Sequence, residues 1–467
     1  MAIVHLPSTL RGLAAGTDRL DVGGESAGEV LRRLEREHPR LRGWVLDEQG
    51  RLREHVTLFV NEERADLAVA VGAADRLYVV QAISGGALAE PSRGDVSVEL
   101  PDLGRMIQLA ELLVGTKKGL FVLHGKRGGA MEVGVRAFAG QVVEYAVFDP
   151  RSELYFAAVT HGQFGPRLFF TDDPAGDWEQ AEGPVFPADT GAAVTRIWSI
   201  EPGEEAGVVW AGVAPAALFK STDDGRTWSL NRSLWNQPGR PEWQAGAGGL
   251  CLHSIAPWPR DPARLAVGIS AAGVWRTEDG GESWRWGVEG LVPRYVPAEA
   301  RADTTAYCVH NLRRAPLRPE RLYMQFHGGV YRSDDAGASW LEIGGVGTPG
   351  GLPADFGFPI EIDPLDPDCA FVIPLAADVD RVTPEGKLRI YETRDAGASW
   401  RPLGRGLPDR DAYLTVLRQA FCRDDGDPVG LYFGVRSGEV FASADGGATW
   451  TAAADHLPPI NSVRRGR

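Results

Sequence analysis

The sequence predicts two unlike folds in one chain: a small α+β β-grasp domain over residues 1–86, then an all-β propeller over residues 103–467. Three observations carry this. One amphipathic helix among strand-like runs fills the first 86 residues. An octet ending in tryptophan returns at intervals of 50 to 60 residues through the long remainder, which is the period of a repeat architecture. Between the two, residues 87–102 are rich in Gly, Pro, Ser and Ala and read as a linker.

In the first segment, Ser26-Ala27-Gly28-Glu29 has the form of a capping box. Ala27, Val30, Leu31 and Leu34 then follow at helical offsets, so a helix over Ala27–Glu37 presents one apolar face, and Pro39 stops it. Strands are expected near Ile3 to Leu6 and Arg19 to Val22, then over His55 to Val60 and Arg76 to Val80.

Val60-Asn61-Glu62-Glu63, Val71-Gly72-Ala73-Ala74-Asp75-Arg76-Leu77 and the terminal Gly85-Gly86 resemble the MoaD/ThiS ubiquitin-like sulfur-carrier family. The resemblance implies that a partner E1-like enzyme adenylates a terminal glycine carboxylate, after which sulfur transfer makes a thiocarboxylate. Glycines suit such a tail because they thread narrow channels and take backbone angles closed to other residues. Here the Gly86 carbonyl is in a peptide bond to Ala87, so the chemistry requires cleavage after Gly86, for instance by a Gly-Gly-specific protease. The alternative is that Gly85-Gly86 only begins the linker. No cofactor is expected on the chain itself, and ATP enters only through the adenylating partner. Residues 1–86 contain no lysine, so a released modifier could not build lysine-linked chains on itself.

The octet Ser/Thr-x-Asp-x-Gly-x-Ser/Thr-Trp occurs around Asp223, Asp279, Asp335, Asp395 and Asp445, with a worn sixth copy over Thr171 to Trp178. Its chemistry is that of a hairpin turn: Asp accepts from backbone N–H groups, Gly supplies a positive φ, and Trp packs between sheets. These residues are read as structural. The octet resembles the Asp-box of BNR repeats. Paired strands precede each copy, as in Val208 to Gly212 with Ala217 to Lys220, and early units add to them, giving seven units. A seven-bladed propeller is expected, six blades being the alternative, with Pro459 to Val463 completing the first blade and hiding the sheet edges. An insertion near Val379 to Lys387 stretches one unit.

A site is expected in the loops and inner strands at one end of the ring. The candidates are His253, His310, His327, Asp355, Asp378, Arg381 and Arg418, with His161 and Lys117 in equivalent early loops. Such a convergence suits a small anionic or glycan ligand and supplies acid/base groups. Cys251-Leu252-His253 and Cys308-Val309-His310 stand 57 residues apart, and at i and i+2 each Cys and His would share a face, so Cys251, His253, Cys308 and His310 form a possible metal set against a reading as packing. Asp-boxes also occur in sialidases and related glycosidases, so an exo-alpha-sialidase-like hydrolase is one implication. No Arg-Ile-Pro element opens the domain, which speaks against true sialidase activity.

Two functions therefore stand side by side: a sulfur carrier or modifier released after Gly86, and an intact protein whose propeller binds or hydrolyses a sugar-like or anionic ligand while the β-grasp docks it to a partner. A net charge of -14 disfavours nucleic acid and anionic membranes as partners. The first residues lack a signal-peptide pattern and no apolar run reaches membrane-spanning length, so a cytoplasmic protein is expected, with its four widely spaced cysteines reduced.

Overall fold

The structure, a computed structural model, describes residues 1–6, 14, 17, 19–41, 45–46, 50–52, 56–61, 63–73, 75–81, 109–162, 165–245 and 248–467. It divides into two compact units, Met1–Met106 and Ile107–Arg467. Gly85, Gly86 and the linker over 87–102 lie outside the described residues.

The first unit is a mixed sheet with one helix. Strands β1 (Ala2–His5), β2 (Arg19–Val22), β3 (Val56–Val60), β4 (Glu63–Ala65) and β5 (Arg76–Gln81) lie in the order β2-β1-β5-β3-β4, with β1 and β5 parallel. Helix α1 spans Ala27–Glu37 and buries Ala27, Val30, Leu31 and Leu34 in one core with Val4, Leu58, Leu77 and Val79. Each buried leucine contributes about 1.5–3 kcal/mol relative to exposure. Ser26 caps the helix by accepting from the Glu29 N–H at 3.3 Å, while the Glu29 carboxylate accepts from the Glu25 N–H at 2.9 Å, one residue before the cap. The segments that carry the family resemblance are tied to each other. Asn61, at a positive φ of 55°, accepts from the Arg76 N–H at 2.9 Å and donates to Asp75 at 2.8 Å, and Asp75 accepts from the Gly72 N–H at 2.7 Å.

The second unit contains seven four-stranded antiparallel sheets among the described residues. Their first strands are Ile460–Arg465, Val142–Asp149, Arg196–Pro202, Cys251–Trp258, Val309–Arg314, Gly357–Ile362 and Phe421–Arg423, and each touches the next around a closed ring. The ring joins its ends through a single sheet: Ile460–Arg465 pairs with Leu109–Thr116, so the first sheet takes its innermost strand from the end of the chain.

The octets form one repeated hydrogen-bonded turn. In the copy around Asp335, the Ser333 hydroxyl donates to Asp335 at 2.8 Å and accepts from the Gly337 N–H at 2.8 Å; Asp335 accepts from the Ser339 N–H at 2.9 Å and hydroxyl at 2.6 Å. Gly337 has φ 89°, the left-handed region that glycine enters without strain. Two of the tryptophans bond across to the preceding sheet, Trp340 Nε1 donating to the Gly287 carbonyl at 3.0 Å and Trp400 Nε1 to that of Ile343 at 2.7 Å, whereas Trp228 and Trp450 donate to Gly225 and Gly447 of their own turns at 2.8 and 2.9 Å. The worn copy departs from this pattern, because Asp173 accepts from the Ala175 N–H at 2.9 Å instead.

The inner strands do not keep strict alternation. Register shifts fall at Glu144, Trp198, His253, His310, the Phe358-Pro359 pair and Asn461, which are equivalent places in six of the seven sheets. A bulge re-aims the side chain of its extra residue. The histidine of each Cys-x-His pair is the bulged residue, and the two pairs end differently: Cys308 and His310 line a common space, as the i, i+2 spacing leads one to expect, whereas Cys251 and His253 do not.

Candidate functional site

The bulges converge on a cavity of about 450 Å³. Of the bulged residues, Glu144, Trp198, His310, Phe358 and Asn461 line it. Loop residues complete the wall, notably Tyr295, His327 and Arg381, together with Arg196 and Arg418. Repetition of one backbone irregularity around the ring thus supplies chemically different side chains to a common space.

Four of the expected residues meet here: His310, His327, Arg381 and Arg418. His253 does not. It is buried, donating from Nε2 to the Val309 carbonyl at 2.8 Å and facing the Ser254 hydroxyl at 2.9 Å through Nδ1, so it serves packing between two inner strands. Asp355 does not line the cavity, and its backbone carbonyl accepts from Gln325 at 2.9 Å. Asp378 stays outside the wall but comes within 3.7 Å of His327 Nε2. His161 and Lys117 do not line the cavity either. The metal set is also redrawn. Cys251 and His253 drop out, whereas Cys308, His310 and His327 bring their ligating atoms within 4.8 Å of one another.

Electrostatically the cavity is dominated by arginine. Arg196 pairs with Glu144, the sole carboxylate among the lining residues, and its guanidinium carbon lies 3.9 Å from the Trp198 ring centroid. Arg418 is 8% exposed and lies between the Trp198 and Phe358 rings, 5.0 and 5.3 Å from their centroids. Its side chain has no hydrogen bond or ion pair among the described residues, and its Nε is buried without a partner. Such a group is expensive to desolvate, and ring contacts offset only part of that cost. Burial lowers the Arg418 pKa from its ordinary value. Burial, with Arg418 next, also holds His310 well below the ordinary histidine range, so its imidazole is neutral at pH 7. His310 Nδ1 carries the proton, because it lies 2.6 Å from the Gly357 carbonyl, which can only accept.

Sequence reasoning missed Glu144, Arg196, Trp198, Tyr295 and Phe358. Their common signal was position: Glu144, Trp198 and Phe358 stand at the bulge of an inner strand as His310 does, but a bulge leaves no mark in hydrophobic alternation.

The first unit has close sequence relatives. It is 37% identical over 71 residues to small archaeal modifier protein 1 of Haloferax volcanii, covering 82% of that protein and 15% of this chain. Through this domain the chain belongs to the ubiquitin-like family of small archaeal modifier proteins. The crystal structure of the same Haloferax volcanii modifier matches at 33% identity, covering 98% of that chain and 18% of this one, with a TM-score of 0.17 over the whole chain. The second unit is similar to an oligoxyloglucan-reducing end-specific xyloglucanase of Emericella nidulans, 26% identical over 225 residues, or 42% of this chain. The match spans only 26% of that enzyme's length. An ancestral GH74 enzyme structure covers 76% of this chain and 39% of its own, at 15% identity and a TM-score of 0.44. No protein-family model matches the chain. Among the described residues no helix is long and apolar enough to cross a membrane.

Proposed function

We propose that the modifier-like domain is a sulfur carrier or protein modifier made as a fusion and activated by hydrolysis of the Gly86-Ala87 bond. The relationship to small archaeal modifier protein 1 carries this reading, together with a diglycine that follows β5 after only a few residues. Water adds to the Gly86 carbonyl, Ala87 leaves as a free amine, and the new carboxylate is the group an E1-like partner adenylates with ATP before sulfur replaces the adenylate. Intact-mass measurement of the protein from its native cell tests it. A fragment ending at Gly86, or one about 16 Da heavier from exchange of one carboxylate oxygen for sulfur, supports the reading. A full-length species alone overturns it.

A second reading is favoured by Arg418. Arg418, with its Nε buried without a partner and its side chain without a hydrogen bond or ion pair among the described residues, stands beside Arg381 and Arg196 in an aromatic-walled cavity and supports binding of a small anion such as a sugar acid. Binding is favoured over glycoside hydrolysis, which ordinarily takes two carboxyl groups flanking the bond. Among the lining residues only Glu144 carries one, and Arg196 holds it. The Asp-box octets fit this division, since they are consumed by turn geometry. Titration calorimetry with glucuronate and uncharged glucose separates the possibilities: tighter glucuronate binding that weakens with salt supports an anion site, and equal or absent binding of the two counts against it.

A further inference from the structure

We infer that Cys308, His310 and His327 form a three-ligand site for a thiophilic transition-metal ion, with its fourth position open to the cavity. The three ligating atoms lie within 4.8 Å of one another, and all three residues line the same wall. A tetrahedral zinc ion, with bonds of about 2.3 Å to sulfur and 2.0–2.1 Å to nitrogen, needs ligand atoms roughly 3.5 Å apart, so side-chain rotation of about an ångström closes the set.

The supporting shell is already built. His310 donates its Nδ1 proton to the Gly357 carbonyl at 2.6 Å, which fixes the ring and leaves Nε2 as the free lone pair, the arrangement that metal-binding histidines use. The His327 backbone N–H donates to the Cys308 carbonyl at 3.1 Å, pinning two ligands to one rung. Tyr295 holds both from the other side: its hydroxyl accepts from the Cys308 N–H at 3.0 Å, and its ring centroid is 4.2 Å from that of His327. Ser270 Oγ, 2.9 Å from Cys308 Sγ, is placed to donate to the thiolate once the thiol proton is lost to solvent. One thiolate and two neutral imidazoles leave a divalent ion with a net positive charge, so its open position suits water or an anionic oxygen. His310 is the bulged residue of its strand, and its ring centroid lies 5.1 Å from that of the loop residue His327.

The test uses the full chain with Co²⁺ as the spectroscopic probe for zinc and Cu²⁺ as the probe for a copper-selective His₂Cys site. The expected result is one equivalent bound, with a thiolate-to-metal charge-transfer band. Cys308→Ser removes the band, and His327→Ala weakens binding about 10–100-fold or more, in chains whose circular dichroism and melting are unchanged. Cys251→Ser leaves both band and affinity intact. Absence of the band with either ion overturns the inference, as does its persistence in Cys308→Ser. Should Cys308→Ser fail to fold, the affinity of the part-exposed His327→Ala decides, and an unchanged affinity overturns the inference. The anion reading rests on Arg418 and is read separately, by calorimetry on metal-free protein.

Discussion

Arg127 clamps Asp424 across 297 residues of chain, its Nε and Nη2 donating to the two carboxylate oxygens at 2.6 and 3.0 Å. Arg127 follows the third strand, Gly119–Lys126, of the sheet that closes the ring, and Asp424 follows the inner strand of the neighbouring sheet. Tyr432 and the Gly430 N–H also donate to Asp424, at 2.9 and 2.7 Å. Burial pushes this carboxyl up, but Arg127 and the backbone donors outweigh it, and its pKa ends below the ordinary value. Removing one partner of a buried pair leaves an uncompensated charge. Arg127→Ala is therefore expected to lower stability by about 3 kcal/mol in denaturant unfolding, and Asp424→Asn in that background to recover part of it. The clamp's contribution is present above the unfolded carboxylate pKa and fades as pH falls through the lower folded value.

The opposite sign is expected at Glu201. Desolvation raises it to about 7 although part of its side chain still meets solvent, and Arg313 and Arg464 only partly counter this. A carboxyl raised on folding contributes stability that is full below the unfolded value, about 4.5, and is lost as pH rises through the folded one. Glu201→Gln should leave the melting temperature near pH 4 little changed and raise it at pH 8. Equal shifts at both values would contradict this.

Arg418 separates function from stability. A buried cation with no ion pair among the described residues costs folding free energy, so Arg418→Met is expected to raise the melting temperature by a few degrees while lowering affinity for an anionic ligand at least about tenfold. A fall in melting temperature with unchanged affinity would make Arg418 a structural residue.

The octets should behave in the reverse way. Ser333→Ala deletes the hydroxyl that joins Asp335 to the Gly337 N–H and leaves buried groups unsatisfied. A loss of about 1–3 kcal/mol in unfolding is expected, with ligand affinity at the cavity unchanged by calorimetry.

The helix of the first domain was legible residue by residue, because the cap at Ser26, the apolar offsets and Pro39 are all local signals. The octets were legible because each packs its turn chemistry into eight consecutive positions. The cavity was half legible. His310, His327, Arg381 and Arg418 were found by their chemistry and blade equivalence, whereas His253 looked equivalent to His310 and is spent on the Val309 carbonyl. That difference arises from contacts 56 residues apart, which no local pattern encodes. Trp198 and Phe358 were invisible for a further reason: an aromatic residue on an inner strand reads as core unless the bulge beneath it is known.

The strand that completes the first sheet imposes an order on synthesis. The modifier-like domain has all its described strands by Gln81 and can fold as soon as it leaves the ribosome. Leu109–Thr116 must instead wait with an unpaired edge until Ile460–Arg465 emerges, and Asn461 then bonds the Val143 carbonyl 318 residues back. Throughout that interval the nascent ring carries an unpaired strand edge, the kind of edge that templates aggregation. The two units therefore differ in when their sheets can close: the first within its own stretch of chain, the ring only with its last strand.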